Sequence, residues 1–215
     1  MCIEIRAPEG DSKTASEFCR DAQIGRLYLC WILCFKNTIF ILIMNILNSD
    51  EWFPIVDEDG KEISRALRSV CHDGRSMLLH PVVHMHLLNS KGEIFLQKRA
   101  MTKDLLPGYW DTSVGGHVSP GESAEEALKR ETLEELGISD FKYRFEVKYI
   151  WESKRERELV YSFTGISETV PQINRDEIDD GRFWSLKEIR GNLNRKIFTP
   201  NFEHEYNLVI SKLKR

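Results

Sequence analysis

Between Gly116 and Ile138 the chain reads GHVSPGESAEEALKRETLEELGI, and no other stretch constrains the fold as tightly. Pro120 and Gly121 break the preceding chain. Ser123 followed by Glu126 spells a capping box: the hydroxyl takes the amide three residues on, and the glutamate reaches back. The spacing predicts a helix to Leu136, with Gly137 as a left-handed cap. At about 100° per residue, Glu131, Glu134 and Glu135 fall within about 100° of arc on it. Carboxylates on one face repel one another, and a folded protein tolerates this when a divalent cation sits among them. Oxygen-only ligands suit Mg²⁺ or Mn²⁺. Arg130 is adjacent and can hold a carboxylate in place. Leu128, Thr132 and Leu136 make an i, i+4, i+8 stripe that anchors the helix to a sheet. Gly115 and Gly116 let the backbone approach the metal without side-chain obstruction. The candidate metal set is therefore Gly116, Glu131, Glu134 and Glu135, and the candidate catalytic set is Glu131, Glu134, Glu135 and Arg130. An isolated acidic run reads as a solvated face, but glycine, loop and arginine in register argue for a site.

The flanking segments supply strands. EWFPIVDEDGKEISRAL reads as a hairpin turning at 57–60. The polar run 64–75 reads as a helix entering a loop. In HPVVHMHLL, Val83, Met85 and Leu87 alternate with Val82, His84 and His86. The turn NSKG then joins this run to EIFLQKR, which predicts a β-hairpin. Residues 141–151 and 159–166 alternate as strands around a charged turn, and RFWSL reads as a short strand or turn before a helix start at Ser185. A last helix is expected over 201–215. Strands, one long helix, more strands and terminal helices give an α/β sandwich with a mixed sheet.

Composition narrows the function classes. Lys plus Arg is 30 against 34 Asp plus Glu, a net charge of −4, so no nucleic-acid partner is expected. The 5 cysteines are odd in number and contain no CxxC pair, which suggests neither a disulfide framework nor a zinc ribbon and fits a reducing cytoplasm. Residues 1–47 differ from the rest and are read as an N-terminal extension, with the domain proper at 48–215. Within the extension, 27–47 is long enough to cross a bilayer. Lys36 interrupts it, at a cost of about 2.5–3.5 kcal/mol on insertion scales. A membrane anchor, an element packed on the main domain, and a true start at Met44 all remain open, the last being favoured.

The pattern from Gly116 to Ile138 is the Nudix signature GX5EX7REUXEEXGU, matched at every position except Thr132, which is β-branched where a bulky aliphatic is usual. The resemblance spans 50–210 and implies a Nudix-type α/β/α sandwich with a mixed β-sheet. LLHPVVHMHLLNSKGEIFLQKRA, PGYWDTSVGGHV, ERELVYSF and GRFWSL are similar to the branch containing type I isopentenyl-diphosphate isomerase. That resemblance implies a second metal site made by His72, His80, His117, Glu156 and Glu158. It also marks a departure. The isomerases carry a catalytic cysteine at the position of Gly115, and their Nudix helix is usually eroded where this one is intact.

Other residues have two readings each. Lys98 and Arg99 end a strand aimed at the glycine loop and are candidate diphosphate ligands. Trp110 and Trp184 are candidates to sandwich a substrate, with core packing as the other reading. His84 and His86 share a strand face and read as packing or surface residues. Cys71 has no evident base in sequence and reads as inert. The functional expectation is a metal-dependent hydrolase of a small-molecule diphosphate, cytoplasmic, with a homodimer left open. The alternatives are an allylic-diphosphate isomerase, and a non-catalytic ligand-sensing module, against which the intact acids argue.

Overall fold

A computed structural model describes residues 51–103 and 105–213. The expectations for 1–47, including the 27–47 anchor and the start at Met44, lie outside these residues. Among the described residues no helix is long and apolar enough to cross a membrane.

The described residues open with strands β1 (Trp52–Val56) and β2 (Glu62–Leu67), paired antiparallel as a separate hairpin. Asp57 makes the turn: its carboxylate accepts the amides of Asp59 at 3.1 Å and Lys61 at 2.9 Å, and Gly60 takes φ 90°. The helix expected over 64–75 shrinks to α1 (Arg68–Cys71), because pairing with β1 draws the chain into β2 as far as Leu67.

The main sheet holds β3 (Leu79–Leu88), β4 (Ile94–Arg99), β5 (Trp110–Asp111), β6 (Val114–His117), β7 (Lys142–Glu152), β8 (Arg157–Ile166) and β9 (Ile178–Trp184). Its order is β5-β4-β3-β8-β7, with β6 also on β3 and β9 also on β4. The β3–β8 pair is parallel and the others antiparallel, so the sheet is mixed. The β3–β4 hairpin is only partly realised. Asn89 caps its turn by accepting the amides of Lys91 and Glu93, but the strands share one register pair, Leu88 with Ile94. They then diverge, β3 toward β6 and β8, β4 toward β5 and β9. Alternation fixed which face each residue takes; it carried no information on which edge finds which partner.

Helix α2 (Ala124–Leu136) lies on one face of the sheet. There Leu128 and Leu136 are fully buried with Val83, Met85, Leu87, Phe95 and Phe163, each contributing about 1.5–3 kcal/mol. Helices α3 (Leu186–Asn192) and α4 (Pro200–Leu208) serve the other cluster, where Ile94 and Leu96 meet Ile189, Phe198, Phe202 and Tyr206. Successive residues Ile94, Phe95 and Leu96 thus feed opposite layers, as a strand's period of two requires. The last helix stops at Leu208, and a 3₁₀ turn (Ile210–Lys212) follows. The result is the expected α/β sandwich on a mixed sheet.

Candidate active site

Helix α2 is positioned by its own ends. Ser123 accepts the Glu126 amide and Glu126 accepts the Ser123 amide, a complete capping box, and Gly137 closes the helix at φ 66°. The buried stripe, which includes Thr132 bonded to the Leu128 carbonyl at 2.6 Å, sets its rotation. Glu131, Glu134 and Glu135 are thereby delivered in three different settings. Glu134 is exposed, with 53% of its side chain in solvent. Glu131 is half-buried, and Glu135 is buried at 6%. The Glu135 carboxylate accepts the amide of Gly115 at 3.2 Å and the side-chain amide of Gln97 at 3.3 Å. At Gly116 a Cβ would collide with the carboxyl of Glu131, so a side chain there would push Glu131 out of its present position.

Arg130 organises the cluster. Its guanidinium donates to Glu122 at 2.9 Å, Glu131 at 2.7 Å, Glu134 at 3.2 Å and the His117 carbonyl at 2.9 Å. Burial pushes the Glu131 carboxyl up to about 7 against the pull of Arg130, with repulsion from Glu134 and Glu177 adding to the rise. Burial, then repulsion from Glu131, takes Glu135 to about 8, opposed by the Gly115 amide and Gln97. Glu177, in the loop before β9, repels both carboxyls and pairs with Lys103 at 3.0 Å. Sequence reasoning missed it, since it lies in another loop and nothing local marks it. Hard oxygen donors gathered beside a bare glycine backbone, with Glu131 and Glu135 pushed up by burial and then by neighbouring carboxylates, fit a Mg²⁺ or Mn²⁺ ion.

A second cluster forms where β3, β6 and β8 meet α1. One ring nitrogen from each of His72, His80 and His117 lies within 4.8 Å of the others. His72 also faces Glu156 at 3.6 Å, and Glu158 is the register partner of His80. Phe53 stacks on His117 with centroids 4.0 Å apart. Burial, helped by the Arg68 charge, holds His117 well below the ordinary histidine range; burial also lowers His80. Glu158 rises to about 8 through burial and the neighbouring Glu156. His80 Nε2 is buried without a hydrogen-bond partner. Three clustered imidazoles, two of them pushed toward the neutral form and one with an orphaned nitrogen, fit a divalent cation such as Zn²⁺ or Mn²⁺. The residues named from resemblance are therefore brought together, His72 included.

The substrate residues fare differently. Trp110 and Trp184 pack against each other edge to face, centroids 5.1 Å apart at 73°, with the Arg182 guanidinium 3.6 Å over Trp184. Rings so engaged leave no slot between them, so the sandwich is replaced by core packing. Arg99 is committed to the Leu105 carbonyl at 3.0 Å and Asp111 at 3.2 Å; Lys98 sits half-buried on β4 opposite Trp110 and Asp180. Cys71 is fully buried in a cluster with Phe53 and Ile55. His84 and His86 do not lie on a surface: they flank Glu205 of α4 at 3.1 and 3.2 Å, and Glu205 is 0% exposed.

A NUDIX domain is matched over residues 78–202. The chain is 34% identical over 136 residues to isopentenyl-diphosphate Delta-isomerase 1 of Photorhabdus laumondii, covering 60% of this chain and 77% of that protein. It is 30% identical over 155 residues to the uncharacterized Nudix hydrolase YfcD of Escherichia coli K12, covering 72% and 84%. Among solved structures, DR0079 from Deinococcus radiodurans superposes with a TM-score of 0.63 at 23% identity, over 73% of this chain and 98% of that one, which bears on fold alone. With the signature helix, the glycine strand and the mixed sheet all in place, the chain belongs to the Nudix family.

Proposed function

We propose that this protein is a divalent-metal-dependent hydrolase that cleaves the diphosphate linkage of a nucleoside-diphosphate-like or other small organic diphosphate, in a cytoplasmic setting. The observation that carries this reading is Glu131 and Glu135 set against the bare Gly115–Gly116 backbone, with carboxyls pushed up to about 7 and about 8. Glu131, Glu134, Glu135 and the backbone at Gly116 would hold Mg²⁺ or Mn²⁺. When bound, such a metal neutralises phosphate oxygens and makes water a better nucleophile. Arg130 keeps Glu131 and Glu134 in place through its shared guanidinium. Glu131 acts as a ligand or as the base that takes a proton from the attacking water, a task suited to a carboxyl near neutral. Water adds to phosphorus as the bridging oxygen leaves.

A second reading, an isomerase of an allylic diphosphate, is favoured by the His72, His80, His117, Glu156 and Glu158 assembly and by the isomerase-named relative. It lacks the thiol, because Gly115 stands at that position and Cys71 is buried in the Phe53 cluster. Two incubations separate the readings. Phosphate and pyrophosphate release is measured across a panel of organic diphosphates with Mg²⁺ or Mn²⁺, and turnover of at least one is expected. Isopentenyl diphosphate is incubated in deuterated water with Mg²⁺ and Zn²⁺ separately, and no exchange is expected. Deuterium incorporation at catalytic rates moves the active centre to the histidine cluster.

A further inference from the structure

The His84–Glu205–His86 group is a buried charge assembly that neither metal cluster uses. His84 Nδ1 lies 3.1 Å from a Glu205 carboxylate oxygen, and His86 Nε2 lies 3.2 Å from the same oxygen. Glu205 and His86 are completely buried, whereas His84 retains 9% exposure. A carboxylate accepts only, so the His84 proton facing it sits on Nδ1. The opposite edge of the ring faces Gly115, whose Cα is paired with that of His84 across β3 and β6. A Cβ built on Gly115 would lie 3.6 Å from His84 Cδ2 and 3.8 Å from Nε2. Thr112 Cγ2 lies 3.6 Å from the same Cβ position, so glycine leaves a space about one carbon wide beside the ring, which a larger side chain would close. The Gly115 amide in turn touches Glu135, so one residue of β6 joins His84 to the carboxylate cluster of α2.

Burial alone disfavours charge on His84, but the charge and hydrogen bond of Glu205, with smaller help from Glu158 and Asp111, outweigh it and raise the ring to about 9. The ring therefore carries protons on both nitrogens at neutral pH, and Glu205 is held ionised below the usual carboxylate range.

We propose that His84, fixed through Nδ1 by Glu205, donates Nε2–H to a phosphoryl oxygen of the diphosphate substrate in the gap left by Gly115. Glu205 is then a positioning residue and His84 a substrate-binding one. This rests on the hydrolase reading and extends it by naming a cationic contact outside the signature helix. It also gives the glycine at this position a use: the space a thiol would take admits the substrate anion.

The test uses the full chain and Mg²⁺ with inorganic pyrophosphate as the probe. Histidine ring ¹⁵N spectra of the wild type are recorded through the titration, with the His84 signals assigned by their loss in His84→Gln. A doubly protonated His84 ring at pH 7, whose Nε2 resonance moves as pyrophosphate saturates, is expected. Pyrophosphate affinity of His84→Gln, measured by calorimetry on protein with a cooperative melt, should fall about tenfold, the scale of a charge-assisted hydrogen bond. Glu205→Gln should abolish the doubly protonated signature. Pyrophosphate binding with a stationary His84 resonance, or wild-type affinity in His84→Gln, overturns the proposal and leaves the hydrolase reading standing. No pyrophosphate binding by the wild type and no turnover across the diphosphate panel overturns both.

Discussion

Glu131, Glu134 and Glu135 are chemically equal in sequence and unequal in the fold. Glu134 stands in solvent, while Glu135 is buried against the Gly115 amide. That difference makes Glu135 the sharper probe. Glu135→Gln is expected to cut turnover by about tenfold to a thousandfold, the scale of lost transition-state charge stabilisation. The metal-free melting temperature should hold or rise, because repulsion with Glu131 is relieved. Steady-state rates with saturating Mg²⁺ and a chelated melt check both halves; wild-type turnover would remove Glu135 from the site. Gly116 makes the complementary point at this scale. Besides the backbone ligand proposed for it, its missing side chain leaves room for Glu131, whose carboxyl a Cβ would meet.

The signature helix is the element on which the site depends, and its ends were written locally. Ser123, Glu126 and Gly137 do in the structure what their spacing predicts. Ser123→Ala removes one side of the capping box at a cost of about 1 kcal/mol, which for a domain of this size lowers the melting temperature by about 2–4 °C. A thermal scan reads this directly, and an unchanged midpoint would mean that packing of Leu128 and Leu136 alone sets the helix start. Strand partners were not written locally. Residues 80–99 carry two clean alternations and a turn, yet β3 and β4 part after Leu88 and Ile94. β3 takes β6 and β8 because buried residues of three strands must share one face beneath α2.

Across the whole molecule, the raised carboxyls make stability depend on pH and metal. Glu131 and Glu135 titrate near 7 and 8 when folded, against about 4.3 for an unfolded glutamate. Between those values the folded state holds more protons, so stability falls as pH rises. His84, raised to about 9, acts in the same direction, its contribution being lost as pH climbs through that value. In chelator the melting temperature should therefore drop from pH 5 to 9, Mg²⁺ should restore it at the upper end by binding the folded state, and Glu135→Gln should flatten the slope. A midpoint that climbs with pH in chelator contradicts the assignment. What the sequence by itself determined were the features set within a few residues: the helix and its caps, the acidic face, the face of each strand residue, and the family. Tertiary structure decided what depends on distant segments meeting. Glu177 joined the carboxylate cluster from a loop, Glu205 of α4 reached His84 and His86 on β3, and Trp110 met Trp184 edge to face. Local spacing fixes angles along one helix or strand; a contact between segments is fixed only when their buried faces are packed together.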